Sequence, residues 1–279
     1  MDRSQIIKKL AADVADRKLA FPTSVNLALK IRETLEDPDC HIDTATKLVL
    51  AEPLLAARVV AIANSATYNR AGREISDVRS AVSKLGFTVV RNLATALVTR
   101  QMAASAPKGS RPALLAAELW EHTAHVASLA RLLARDVTHL DPDTAMFAAI
   151  VHDIGGFYLL SRLGDFPGLL DEGMTDDDLE AELALCHAIL GVIGVPPTVL
   201  KAVDEYWAGY LELPPVSLGD TLLLAAGLAP KPRPLDYQHI APDSNFRASI
   251  NLTLGKETLE SILAESAEEV QSLADALKF

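Results

Sequence analysis

The chain has 279 residues, 49% of them hydrophobic, and a formal net charge of -11. That is ample apolar material for a buried core, so a disordered polymer is excluded, and the acidic balance argues against a protein that tracks nucleic-acid phosphates. Cys40 and Cys186 lie far apart without metal-type spacing around either, which reads as two reduced thiols rather than a disulfide.

The N-terminal stretch MDRSQIIKKLAADVADRK lacks the apolar core of a signal peptide, and no long apolar run suggests a membrane span. A cytoplasmic location is expected, with no membrane and no nucleic acid as partner. Helical periodicity then begins. Ile6, Ile7, Leu10, Ala11 and Val14 trace one face of a first helix, and Val25, Leu27, Ala28, Ile31 and Leu35 a second that stops at Asp37-Pro38. Asp43 is the expected N-cap of a third helix, and Pro53 suits the first turn of a fourth that ends near Asn64-Ser65. Ser76 is the expected cap of a helix carrying Val78, Ala81, Val82 and Leu85, after which Gly86 supplies a left-handed stop and Thr88 starts the next.

The stretch ASAPKGSRP collects Pro, Gly, Ser and basic residues between two strongly helical regions. It divides the chain into a helical half over 1–104, a linker over 105–112 and a second helical half over 113–279. A long helix follows with Leu119, Trp120, Thr123, Val126, Ala127, Ala130 and Leu133 on its buried side, then one from Asp141-Pro142 to about Gly155-Gly156. The acidic run Asp176-Asp177-Asp178 directly follows Thr175, which reads as first-turn carboxylates favoured by the helix dipole rather than a cation site. The Pro-rich segment from Ala229 to Asp243 is expected to be an ordered surface loop between closing helices at about 220–228 and 257–277. The fold class is therefore all-α, a helical bundle of two subdomains.

Three residues carry the best case for chemistry: His122 on the long helix, and the adjacent His152-Asp153 at the end of the next. Imidazole and carboxylate groups brought together from separate helices are how bundles hold metal ions, and a divalent ion so held polarises a phosphoryl oxygen and acidifies bound water. Periodicity alone leaves a second reading open, because His122 sits at the edge of an apolar stripe and could be a hydrogen-bonded core histidine. Asn64-Ser65 reads as a local helix terminus, and Trp120 as a core aromatic.

The segments ELWEHTAHVASLARLLA (118–134) and AAIVHDIGGFYLL (148–160) resemble the His and His-Asp motifs of HD-type domains. The N-terminal half, through FPTSVNLALKI, LVLAEPLLAARVVAIANSATYN and ISDVRSAVSKLGFTVVRNLA, is similar to the HDOD (HD-related output domain) family, with the resemblance spanning about residues 15 to 275. It implies a bacterial signalling output or adaptor module whose C-terminal half is HD-domain-like. Its partners would be a protein in a signalling pathway or a nucleotide ligand.

The departures from the HD pattern are as informative. Catalytic HD phosphohydrolases are expected to add a final Asp on a helix near LGDTLLLAAGLA (218–229), where the alignment places Ala226. Asp220 lies six residues upstream, about 9 Å along a helix. Gly156 stands where catalytic relatives often carry Lys, and Tyr206-Trp207 where a downstream His is expected. The resemblance thus implies no working catalytic residues, with His122, His152 and Asp153 as vestigial metal ligands and no resident cofactor. The alternative is a metal-dependent phosphohydrolase with a divalent ion, acting on a nucleotide or cyclic dinucleotide.

Overall fold

The structure is a computed structural model that describes residues 2–16, 23–102, 109–166, 169, 175–212, 214–235 and 256–277. The described residues contain helices and no strand. In chain order the helices are α1 (Arg3–Ala15), α2 (Thr23–Glu36), α3 (Ile42–Leu50), α4 (Pro53–Asn64), α5 (Val78–Met102), α6 (Arg111–Leu133), α7 (Pro142–Val151), α8 (Ile154–Arg162), α9 (Asp176–Val192), α10 (Pro197–Ala208), α11 (Leu218–Leu228), α12 (Lys256–Glu265) and α13 (Ala267–Leu277). A short π-helical turn, Ala134–Thr138, widens the end of α6.

The apolar stripes read from the sequence become one continuous core. α2, α3 and α4 pack on α5, while α6 runs centrally against α7, α11 and α13. α1 crosses to pack on α9, so the first helix of the chain covers a helix of the HD-like half. Trp120 is 4% exposed and stands edge-on to Phe157 at 5.8 Å. Its indole Nε1 donates to the Leu277 carbonyl at 2.9 Å, satisfying the polar end that a buried Trp must bring with it.

Several helix boundaries differ from the sequence expectations, each for a local reason. His41, not Asp43, precedes α3; Asp43 falls in the first turn and pairs with Arg79. Asp77, not Ser76, caps α5, its Oδ1 accepting from the Ser80 N–H at 2.8 Å. The expected 105–112 linker lies partly outside the described residues, and Ser110 already caps α6, placing Arg111 and Pro112 in the first helical turn. The helix expected to run to Gly155-Gly156 breaks at His152-Asp153 and resumes as α8. The expected closing helix over 257–277 is interrupted at Ser266 between α12 and α13. Val25, Leu27 and Ala28 lie outside the residues whose side chains are described.

Other expectations hold. Asp178 forms a reciprocal capping box with Thr175, so the acidic run serves helix initiation. The Asn64 Nδ2 donates to the Val60 and Ile75 carbonyls and its Oδ1 accepts from the Ile75 N–H, and Ser65 Oγ donates to the Ile62 carbonyl. Both residues bond backbone groups at the end of α4. The C-terminal helix is fastened by charge: Arg135 reaches Glu269 at 2.7 Å, while Arg131 bonds Asp143 at 3.2 Å and stacks over the Tyr68 ring. The segments 78–101 and 142–162 are long and apolar enough to cross a membrane, but their apolar stretches are mostly buried inside the bundle, where core packing explains their composition.

Gly86 breaks α5 into two helical runs, as expected, but at φ 77°, ψ 164° rather than in the αL conformation, a region where essentially only glycine is at ease. A Cβ there would meet nothing within 4 Å, so the cost of a side chain is backbone strain alone. Gly86→Ala is expected to lower stability by about 1–3 kcal/mol with unchanged helix content, measured by urea unfolding followed by circular dichroism; an unchanged midpoint would refute the strain.

Candidate functional site

Four helical elements and one non-helical strap converge on a buried polar cage. α6 contributes His122, the break between α7 and α8 contributes His152 and Asp153, α9 contributes Glu182, and α10 covers the group with Tyr206. His122 is 2% exposed, and His152, Asp153 and Glu182 are fully buried. The sequence-derived trio is therefore brought together: one ligand-type atom from each of His122, His152 and Asp153 lies within 4.8 Å of the others.

Both imidazoles are held by their Nδ1 atoms. His122 Nδ1 donates to the Lys231 carbonyl at 2.8 Å and His152 Nδ1 to the Ala149 carbonyl at 2.6 Å. This tautomer turns each Nε2 lone pair toward the cage, the arrangement that metal-binding histidines use. His122 Nε2, His152 Nε2 and Asp153 Oδ2 are buried without a hydrogen-bond partner, although His152 Nε2 stands 3.3 Å from Asp153 Oδ2. A proton on that nitrogen would turn the contact into an ion pair.

The sequence reading missed the group that completes the cage. Arg233 Nε donates to Asp153 Oδ1 at 2.6 Å and Arg233 Nη2 to Glu182 Oε1 at 3.1 Å. Its side chain is 8% exposed, and the guanidinium lies 5.6 Å from the Trp207 ring. The segment expected to be a surface loop is exposed over 230–232 and then acts as a strap that turns Arg233 and Leu235 onto the core, Leu235 being 5% exposed; the rest of the loop, with Tyr237 and His239, lies outside the described residues. Pro230, Pro232 and Pro234 alternate along it. Pro230, Lys231 and Pro232 are exposed, and the fixed φ of the alternate prolines restricts the chain on either side of Arg233.

One of the departures noted in the sequence, Gly156, is coupled to the strap. A Cβ on Gly156 would lie 2.7 Å from Leu235 Cδ1, 3.1 Å from Arg233 Nη2 and 3.3 Å from Leu119 Cδ2. The absence of a side chain at 156 is what gives the strap and its arginine room. Asp220, the nearest carboxylate to the missing fourth ligand, is consumed in capping: it accepts from the N–H groups of Glu212, Val216 and Ser217 at 2.9, 3.2 and 2.9 Å. Ala226 brings no donor atom.

Electrostatics follow from burial and from the guanidinium. Burial pushes the His122 ring down to about 4, leaving it neutral at physiological pH. Burial would raise the Asp153 carboxyl, but the Arg233 guanidinium beside it holds it below the usual carboxylate range. Glu182 is pushed up to about 7 by burial, against the pull of Arg233. The trio alone has suitable chemistry for a divalent cation. With Arg233 bonded to Asp153, however, the carboxylate is already neutralised and a fixed positive charge sits in the ligand shell, which opposes a second cation. The donor set with the strap in place does not fit a resident divalent ion.

The HDOD domain matches the chain over residues 21–193, more than half its length. The chain belongs to the HDOD family. Its fold matches a solved protein from Shewanella amazonensis SB2B, named as a candidate metal-dependent phosphohydrolase, with a TM-score of 0.74 at 20% identity over 99% of this chain and 100% of that one. An HDOD domain protein of unknown function from Geobacter sulfurreducens matches with a TM-score of 0.59 at 20% identity, covering 98% and 97% of the two chains. A candidate signal transduction protein from Marinobacter aquaeolei VT8 matches with a TM-score of 0.61 at 19% identity, over 100% of this chain and 67% of that one. At these identities the likeness establishes the HDOD fold alone. No curated protein matches.

Two expectations follow from the cage. Gly156→Ala should cost about 1–3 kcal/mol through overpacking, because Leu235 and Arg233 must move; a thermal midpoint equal to that of the wild type would show that the strap yields freely. The second concerns pH. His122 has a folded value of about 4, below its ordinary 6.5, so its stabilisation is present above pH 6.5 and is lost as pH falls toward 4. Glu182 is raised from 4.5 to about 7, so its stabilisation is present below pH 4.5 and is lost as pH rises through 7. The two oppose each other between those limits. Glu182→Gln removes one of them, and its stability should therefore fall more steeply than that of the wild type as pH drops from 6.5 to 4.5; parallel urea-unfolding curves across this range would contradict the assignment.

Proposed function

We propose that this chain is a non-catalytic signalling module, acting by binding a protein or small ligand, in which Arg233 supplies from within the chain the positive charge that a divalent ion brings to an HD-type hydrolase. The observation that carries this reading is the 2.6 Å bond from Arg233 Nε to the fully buried Asp153. It is supported by the coupling of Gly156 to the strap and by the commitment of Asp220 to helix capping. The cage then has a structural role: two buried carboxylates and a guanidinium fasten the segment after α11 to α8 and α9. Cytoplasmic action through a protein partner, without a cofactor, belongs to the same proposal.

A second reading rests on a different observation. The Nδ1–H tautomers leave two Nε2 lone pairs and Asp153 Oδ2 without partners inside the cage. If the strap withdrew, these atoms would form an anionic cation site of the phosphohydrolase type, with a nucleotide or cyclic dinucleotide as substrate.

Arg233→Ala separates the two. Removing the guanidinium leaves buried charge uncompensated, and the variant should lose about 3–5 kcal/mol at neutral pH. It should then gain a saturable rise in melting temperature with manganese or zinc, by mass action. Wild-type protein should show neither a shift with metal or chelator nor turnover of nucleotides, cyclic dinucleotides or generic phosphoesters. Wild-type turnover that both His152→Ala and Asp153→Ala abolish would replace the first reading with the second.

A further inference from the structure

A separate cleft of about 250 Å³ opens between α2, α5, α7 and α10, lined by Arg32, Arg91, Asn92, Thr88, Thr198 and Phe147 among others. It bridges the N-terminal helices and the HD-like helices. Arg32 is 7% exposed. Its Nη2 donates to Glu36 Oε1 at 2.8 Å and to the Gly194 carbonyl at 2.6 Å. Both bonds leave from one nitrogen, so Nε and Nη1 keep no protein acceptor among the described residues.

Arg91 is half-buried and lines the same cleft. It makes no hydrogen bond or ion pair with the described residues, its backbone carbonyl apart. A half-buried guanidinium with no protein acceptor has its donors left for water or for a ligand in the cleft. It also faces a like charge, since Arg91 lowers the proton affinity of Arg32, after burial and against Glu36. Two arginines against the single lining carboxylate of Glu36 leave the cleft with an excess positive charge.

We propose that this cleft binds a small phosphorylated ligand, with Arg32 and Arg91 holding the phosphoryl group. Guanidinium forks match phosphoryl oxygens in geometry and charge. The Thr88 and Thr198 hydroxyls add donors at the rim, where both residues are exposed. A dianionic, three-oxygen group uses this donor set more fully than a planar carboxylate can. Phe147 and Val199, both nearly buried, give an apolar wall for a compact organic body. The volume lies below the roughly 300–1,000 Å³ typical of drug-sized ligands, which selects a phosphate monoester of small size over a dinucleotide.

The inference deepens the signalling reading by naming a ligand class, yet it shares no residue with the Arg233 cage, so each can fail alone. Arg32 already joins α2 to the turn before α10 through Gly194, and an occupant would add contacts across the same junction. Ligand binding would thereby favour one setting of the two helical groups.

The test is calorimetric titration of the full chain with inorganic phosphate and with phenyl phosphate, using sodium chloride at matched ionic strength as the control. Saturable binding of either probe is expected, with phenyl phosphate tighter if the apolar wall is used and inorganic phosphate at least equal if free phosphate is the ligand. Arg91→Gln should weaken binding by about ten-fold or more, while its ligand-free melting temperature stays the same or rises because a like-charge contact is gone. Arg233→Ala should bind the probes as the wild type does, provided circular dichroism shows it folded. Equal affinity in wild type and Arg91→Gln, an effect reproduced by sodium chloride, or no saturable binding below about 10 mM would each overturn the proposal.

Discussion

The contact between Arg233 and Asp153 sets the terms for everything around it. A carboxylate with no solvent exposure is tolerated when its charge is answered at short range. The guanidinium does this through Oδ1, leaving Oδ2 without a hydrogen-bond partner, and it reaches Glu182 with its other arm. A single cation thus serves two buried acids, one held ionised and the other raised toward neutrality. The cage is anchored on the protein side by backbone carbonyls, which fix the two imidazoles in one tautomer.

That arrangement constrains the backbone in three places. The helical run through α7 and α8 must break so that consecutive residues 152 and 153 can both face inward. Position 156 must lack a side chain, or the strap cannot lie down. The strap itself must turn Arg233 and Leu235 inward from an exposed run over 230–232, and the fixed φ of its alternate prolines restricts the chain there. Position 156 and the strap are thus fitted to the same arginine.

The parts visible in the sequence were those with a period or a motif. Ile6, Ile7 and Leu10 announce a helix face, and His122 with His152-Asp153 announces a shared site, because helical spacing and the HD pattern are local signals. Arg233 gave no such signal: one arginine in a run of prolines looks like any exposed loop, and its partners lie 80 and 51 residues away in the chain. Glu182 was equally hidden, since an acidic residue in an acidic amphipathic helix is expected to face solvent. Gly155-Gly156 is the stop signal that the sequence offers, whereas the helix breaks three residues earlier, at His152-Asp153, where no turn residue marks it.

The long separation between Arg233 and its acids has a bearing on the order in which the chain assembles. Contacts among α6, α7 and α8 join segments close in sequence and close their loops cheaply, whereas the strap can dock only after α9, α10 and α11 have been laid down. Asp153 and Glu182 therefore meet their counterion late, and until then water or protons must answer their charge. Interactions that arrive after the rate-limiting step slow unfolding without speeding folding. We expect the strap to act as a clasp of this kind, setting how long the finished molecule survives rather than how quickly it forms.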